Sequence, residues 1–149
     1  MSKNEIYYNL ALQTFDVQFR KYSQVRLMAA GLVGVTTTLV GLAAVASRDW
    51  SGVYLMVGFL MIVAWFVSLG FCVAILHKDT WTAVRIPAFK KQLEDKDDDE
   101  IALAAGDAVM AALKINVPKA RGHAEKLSIA VYFFAAQGVI LGFTFFSSN

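Results

Sequence analysis

The sequence predicts an all-α integral membrane protein: three transmembrane helices, a cytoplasmic N-terminal helix, a helical cytoplasmic loop and assembly as a symmetric homo-oligomer. Three observations carry this. Leu27–Ser47 and Trp50–Leu76 contain no charged residue, and neither does Leu127–Asn149. An α-helix rises about 1.5 Å per residue, so about 20 residues cross a hydrocarbon core of about 30 Å. Only 17% of the 149 residues are charged and 57% are apolar, as in membrane proteins.

Residues 1–26 form the N-terminal arm. The stretch 4–26 lacks Gly and Pro and reads as helix. Tyr8, Leu12, Phe15, Phe19 and Tyr22 recur at spacings of four and three, the seam of a coiled coil. Such a seam lies on the membrane or against the protein's own loop, or it bundles several copies. No breaker separates the arm from the first span, so one helix can run from Asn4 to Ala46.

Residues 27–76 read as a transmembrane hairpin, with spans at 27–47 and 50–76 and a charged turn containing Arg48, Asp49, Trp50 and Gly52. Trp50 and Tyr54 suit the membrane interface. The first span is rich in small residues: Ala30, Gly34 and Thr38 are four apart, as are Thr37 and Gly41. Small residues let helices approach closely in lipid. The hydroxyls of Thr36, Thr37 and Thr38 either bond back to the preceding turn or face a water-filled path. The second span is bulkier and more aromatic, as a lipid-facing helix is. Its Cys72 is the only cysteine, so no internal disulfide forms.

Residues 77–126 read as a cytoplasmic helical loop. Short helical pieces are expected over 82–85 and 88–94, on either side of Pro87. The run Asp95-Lys96-Asp97-Asp98-Asp99-Glu100 precedes a helix in which Ile101, Ala105, Ala108, Ala112 and Ile115 repeat at helical spacing. Acidic residues cap a helix N-terminus, or, repeated around an oligomer, form an acidic mouth of Asp97, Asp98, Asp99 and Glu100 that concentrates cations. Asn116-Val117-Pro118 is expected to end that helix. Basic residues including Lys90, Lys91, Lys119 and Arg121, with Trp81 nearby, either form a topology-fixing collar or hold phosphates while the indole stacks on a base. Residues 127–147 are the third span. Its central Gln137 needs partners, from the threonines of span one, from its own copy in a neighbour, or from a pore or gate.

Orientation follows from the fourteen Lys and Arg residues. Lys3, Arg20, Lys21 and Arg26 precede the first span and nine lie between Lys78 and Lys126, leaving only Arg48 in the turn. The N-terminus and long loop are therefore expected in the cytoplasm and the C-terminus outside. No cleavable signal peptide is visible before the first apolar run.

Enzyme signatures are missing: there is no metal-spaced His/Cys cluster, phosphate loop or nucleophile elbow, and Asp95, Asp97 and Asp99 lack the glycine of a calcium loop. No catalytic residue, metal or cofactor is expected. Duplex DNA is not expected as a partner.

The stretch from Phe15 to Gly41, FDVQFRKYSQVRLMAAGLVGVTTTLVG, with a cytoplasmic helix leading into a two-span hairpin, resembles the SLATT-type membrane effectors of bacterial nucleotide-signalling antiphage defence. The third span is a departure, and the three-span layout looks like the small channel effector of the Hailong system. The resemblance implies a tetrameric channel controlled by an oligoadenylate signal from a partner nucleotidyltransferase. Three helices enclose no water path, so conduction requires several copies, with a cyclic oligomer the default. Gly34, Thr37, Thr38, Gly41 and Gln137 are the residues expected to line or pack the pore. The Tyr8–Tyr22 seam would set subunit number. Trp81, Lys90, Lys91, Lys119 and Arg121 would receive the ligand. The competing reading is a non-conducting membrane anchor whose loop recruits a soluble enzyme.

Overall fold

Apolar residues that repeat without interruption over twenty or more positions leave the backbone little choice in lipid but to bond to itself, which a helix does within one segment. The computed structural model, which describes residues 2–46, 52–77, 81–82 and 96–147, is correspondingly helical. Its helices are α1 (Lys3–Ala46), α2 (Val53–Leu76) and α3 (Asp98–Ser147). Each contains a segment long and apolar enough to cross a membrane, and most of that segment is exposed on the single chain. Leu27, Met56, Val139 and Phe143 are each more than 60% exposed, a surface suited to lipid and costly in water.

The charged turn at 48–51 with Trp50, the side chain of Tyr54, and the pieces expected over 83–85 and 88–94, with Lys90 and Lys91, lie outside the described residues. Gly52 enters α2 with φ +59°, a left-handed conformation that glycine adopts without a Cβ penalty. Arm and first span are one helix, the continuity that the absence of breakers leaves open.

Loop helix and third span, expected as separate elements, are also one helix: α3 runs through Pro118 without ending. An interior proline removes one helical hydrogen bond and crowds the preceding turn, at a cost of about 3 kcal/mol. Tertiary contacts outweigh that cost. The positions Ala102, Val109, Asn116, His123, Ala130, Gln137 and Thr144 are all buried. They are seven residues apart, the spacing that keeps one seam of a helix turned to its neighbours. A break at 118 would throw the seam out of phase.

The chain divides into two units, residues 1–23 with 80–122, and residues 24–79 with 123–149. In the first, α1 and α3 run parallel: Asn4 meets Asp99, Tyr7 meets Asp107, and Ala11 packs with Val109 and Leu113. The buried face of α3 here is Ala102, Gly106, Val109, Ala112, Leu113 and Asn116. The face expected from Ile101 to Ile115 is therefore turned by about one residue, and Ile115 is half exposed. The close approach at Gly106 sets this phase, because a Cβ there would lie 2.5 Å from Cε1 of Tyr7.

In the second unit α2 runs antiparallel to α1. Ala29, Cys72, Ile75 and Ala130 are fully buried, with Val25, Leu32, Phe71 and Leu127 packed around them. Arg26 donates to the carbonyl of Leu76 at 3.0 Å, satisfying an orphan acceptor at the α2 C-terminus. Ser68 Oγ donates to the carbonyl of Ala130 at 3.1 Å, tying α2 to α3.

Gly106→Ala is expected to destabilise the first unit by about 1–3 kcal/mol through overpacking against Tyr7. Hydrogen exchange should show faster opening of residues 3–23 and 98–115, with the second unit's core protection unchanged.

Candidate functional site

The first unit contains a built polar and aromatic site. Asn116 is fully buried although its side chain has two donors and an acceptor. It spends them on one backbone residue: Oδ1 accepts from the Thr82 N–H and Nδ2 donates to the Thr82 carbonyl, both at 2.9 Å. Both backbone groups of Thr82 are thereby satisfied by one side chain. Next to it, the Trp81 ring packs on Phe15, Phe19 and Tyr22 at centroid distances of 5.9, 5.6 and 4.7 Å. Trp81, half-buried, is thus a partner of the α1 aromatic residues. Buried aromatic contacts of this kind stabilise by about 0.5–1.5 kcal/mol each.

The same contacts divide the expected α1 seam. Phe15, Phe19 and Tyr22 meet Trp81 within the chain, whereas Leu12 is 45% exposed and Tyr8 is half-buried. Of the two placements open from the sequence, packing against the chain's own loop accounts for the three aromatic residues.

Acidic residues cap and clamp. Asp97 Oδ1 accepts from the Glu100 N–H at 2.8 Å, the N-cap bond that the first turn of α3 needs. Asp99 accepts from Asn4 Nδ2 at 2.7 Å, tying the start of α1 to that of α3. Asp97, Asp98, Asp99 and Glu100 are all exposed. Further along, Tyr7 Oη donates to Asp107 Oδ1 at 3.1 Å. Partial burial and then the Asp107 hydrogen bond and charge raise the Tyr7 phenol above its ordinary range. Lys119 is half-buried and Arg121 exposed on the same unit.

In the second unit the small, polar residues of α1 separate into two sets. Thr36 is buried, and its hydroxyl donates to the Val33 carbonyl at 3.1 Å. Gly34, Thr37, Thr38 and Gly41 face outward. A Cβ added at Gly31, Gly34 or Gly41 meets nothing within 4 Å. Thr37 and Thr38 donate back to the carbonyls of Val33 and Gly34 at 2.7 and 2.9 Å, which leaves their oxygen lone pairs available outside. Gln137 does not join this face. It is fully buried within the single chain. Its partners in α3, Gly138 and Gly142, are exposed and half-buried. Between α1 and α2 lies an apolar groove of about 320 Å³, lined by Val40, Ala43, Leu55, Gly58, Phe59 and Met61.

Among the described residues no group of three or more His, Cys, Asp or Glu is placed to hold a metal ion. Compared with known proteins, the chain matches no family model, no curated protein and no solved structure. The class of protein therefore rests on its own structure: an all-helical chain with three helices able to span a membrane.

Three residues that organise the site had no assigned part in the sequence reading. Asn116 is expected only at the end of the loop helix, and neither Gly106 nor Asp107 is given a structural part. The seven-residue recurrence of Asn116, His123, Gln137 and Thr144, with Ala130 between, was the available signal for the buried line.

Replacing Asn116 by Ala leaves two backbone groups of Thr82 without partners, at about 1–3 kcal/mol each where they remain buried. Limited proteolysis should cut near Trp81 faster in this variant, and Trp81 emission should shift to the red. For Tyr7 the sign follows from the raised value: the neutral phenol is favoured in the fold. Its stabilising contribution is complete below the ordinary tyrosine range, about 10, and is lost as pH rises through the higher folded value. Phenolate absorbance should show the Tyr7 midpoint above the ordinary tyrosine value, and Asp107→Asn should lower it.

Proposed function

We propose that the protein is a homo-oligomeric, channel-forming membrane effector whose opening depolarises a bacterial inner membrane in antiphage defence. The observation that carries this reading is the outward face of α1. Gly34, Thr37, Thr38 and Gly41 form a small, hydroxyl-bearing stripe that is exposed on the single chain, its hydroxyls bonded only to the preceding turn of α1. Lipid gains little from such a stripe, whereas close packing with a second helix, or water, uses it well. The interior of a single chain is filled by Ala29, Cys72, Ile75 and Ala130. Any conducting path therefore lies between copies, and a cyclic arrangement, with a tetramer favoured, places α1 nearest the axis.

Control falls to the first unit, on the side that carries thirteen of the fourteen basic residues. Lys119 and Arg121, together with Lys90 and Lys91, supply positive charge for a nucleotide or oligoadenylate, and a partner nucleotidyltransferase is the matching source. Asp97–Glu100, exposed at the start of α3, would form the acidic mouth of the assembly.

A second reading has its own observation. Leu103, Met110 and Val117 are 44%, 37% and 41% exposed and seven residues apart on α3. That stripe suits a helical partner, as a non-conducting anchor that recruits a soluble enzyme requires.

Current across a planar bilayer containing the purified protein, with and without adenine oligonucleotides, separates the two. A channel gives discrete steps that respond to the oligonucleotide. Gly34→Leu and Thr38→Leu should lower that current several-fold while leaving the chain folded, since both positions are open in the single chain. A silent bilayer with inserted protein rejects the channel reading.

A further inference from the structure

The buried polar side chains of the second unit do not all have partners. Ser68 Oγ donates to the carbonyl of Ala130, Thr36 Oγ1 to that of Val33 and Thr144 Oγ1 to that of Leu141. Gln137 is different. Its side chain is fully buried, and neither Nε2 nor Oε1 has a hydrogen-bond partner among the described residues. Trp65 is half-buried, and its buried Nε1 likewise has no partner among the described residues.

Register brings these two groups together. Ala29, Cys72 and Ala130 belong to one cluster and fix a common level on the three helices. Seven residues advance a helix by about 10.5 Å. Moving that far along each helix, in the direction away from Arg26 and Leu76, reaches Thr36 on α1, Trp65 on α2 and Gln137 on α3. Three helices thus contribute polar groups to a single layer, bordered on one side by the apolar cluster.

We propose that this layer is a binding site for a water molecule held inside the apolar bundle. The donor and acceptor inventory selects water. Trp65 offers one N–H, Gln137 offers two N–H groups and one carbonyl oxygen, and the Thr36 oxygen, having given its proton to Val33, retains acceptor capacity. Water accepts from the indole N–H and from the Gln137 amide while donating to Thr36 Oγ1 or to Gln137 Oε1. That makes the three hydrogen bonds typical of an internal water. A metal cation is a poor match, because two of the three side chains present N–H groups. A halide would take the N–H donors but would leave Oε1 unserved. The site is independent of the channel reading: it lies inside one chain and needs neither oligomer nor open state.

The test is magnetisation transfer from water to side-chain N–H groups, on the full chain, ¹⁵N-labelled, in lipid nanodiscs without oligonucleotide. Signals are assigned with Trp65→Phe and Gln137→Met. The expected result is transfer to both the Trp65 indole N–H and the Gln137 amide, with the Trp65 transfer falling several-fold in Gln137→Met. Transfer to neither group in the unmodified protein would overturn the proposal without any variant having to fold. So would Trp65 transfer that is unchanged in Gln137→Met while the backbone amide signals of Ala29, Cys72 and Ala130, markers of the second unit's fold, stay in place. Saturable shifts of both groups on chloride addition would assign the layer to an anion and overturn it equally.

Discussion

Close approach of helix backbones at small residues is the constraint on which both units depend. Ala29, Cys72 and Ala130 are fully buried in the second unit. None has a side chain long enough to hold its neighbours apart. In lipid, where burying apolar surface between helices brings no hydrophobic gain, packing and interhelical hydrogen bonds are what hold a bundle together. Ser68 to Ala130 and Arg26 to Leu76 are two such bonds, and both end on backbone carbonyls that a helix ladder does not fully use. In the first unit Gly106 plays the same part, since the Tyr7 ring occupies the space a Cβ would fill.

Specificity in the first unit is polar. A pair of parallel helices with few apolar contacts between them can slide by a turn at little cost. Asn4 on Asp99, Tyr7 on Asp107 and the Asp97 cap fix where α1 and α3 begin relative to each other. Asn116 adds a two-point grip on Thr82, and the α1 aromatic residues close over Trp81. Residues of the same two helices thus hold Trp81 and Thr82 in place.

What remains outside is as informative as what is buried. Large apolar side chains cover most of the second unit's surface, as lipid requires, and the Gly34–Gly41 stripe interrupts them. The proposed oligomer uses that interruption, and the proposed water layer uses the polar groups that point the other way. Thr36 and Thr37 are adjacent in sequence yet serve opposite faces, because successive helix residues are turned by about 100°.

Helices, spans and continuity through the arm were legible in the sequence, because hydropathy and the absence of breakers act locally. Three apolar runs could hardly be anything but helices, and the joining of residues 4–26 to the first span needed only the lack of Gly and Pro there. The polar capacity of Gln137 was equally visible, as was the capping power of the acidic run. Phase and partners were not. Whether Pro118 ends α3 depends on tertiary contacts on either side of it, and those contacts outweigh a local cost. Which of Thr36, Thr37 and Thr38 faces inward, whether Trp81 meets a ligand or Tyr22, and that Asn116 grips Thr82 are decided by residues dozens of positions away. Local chemistry sets what each side chain is able to do; only packing decides which of its neighbours it does it with.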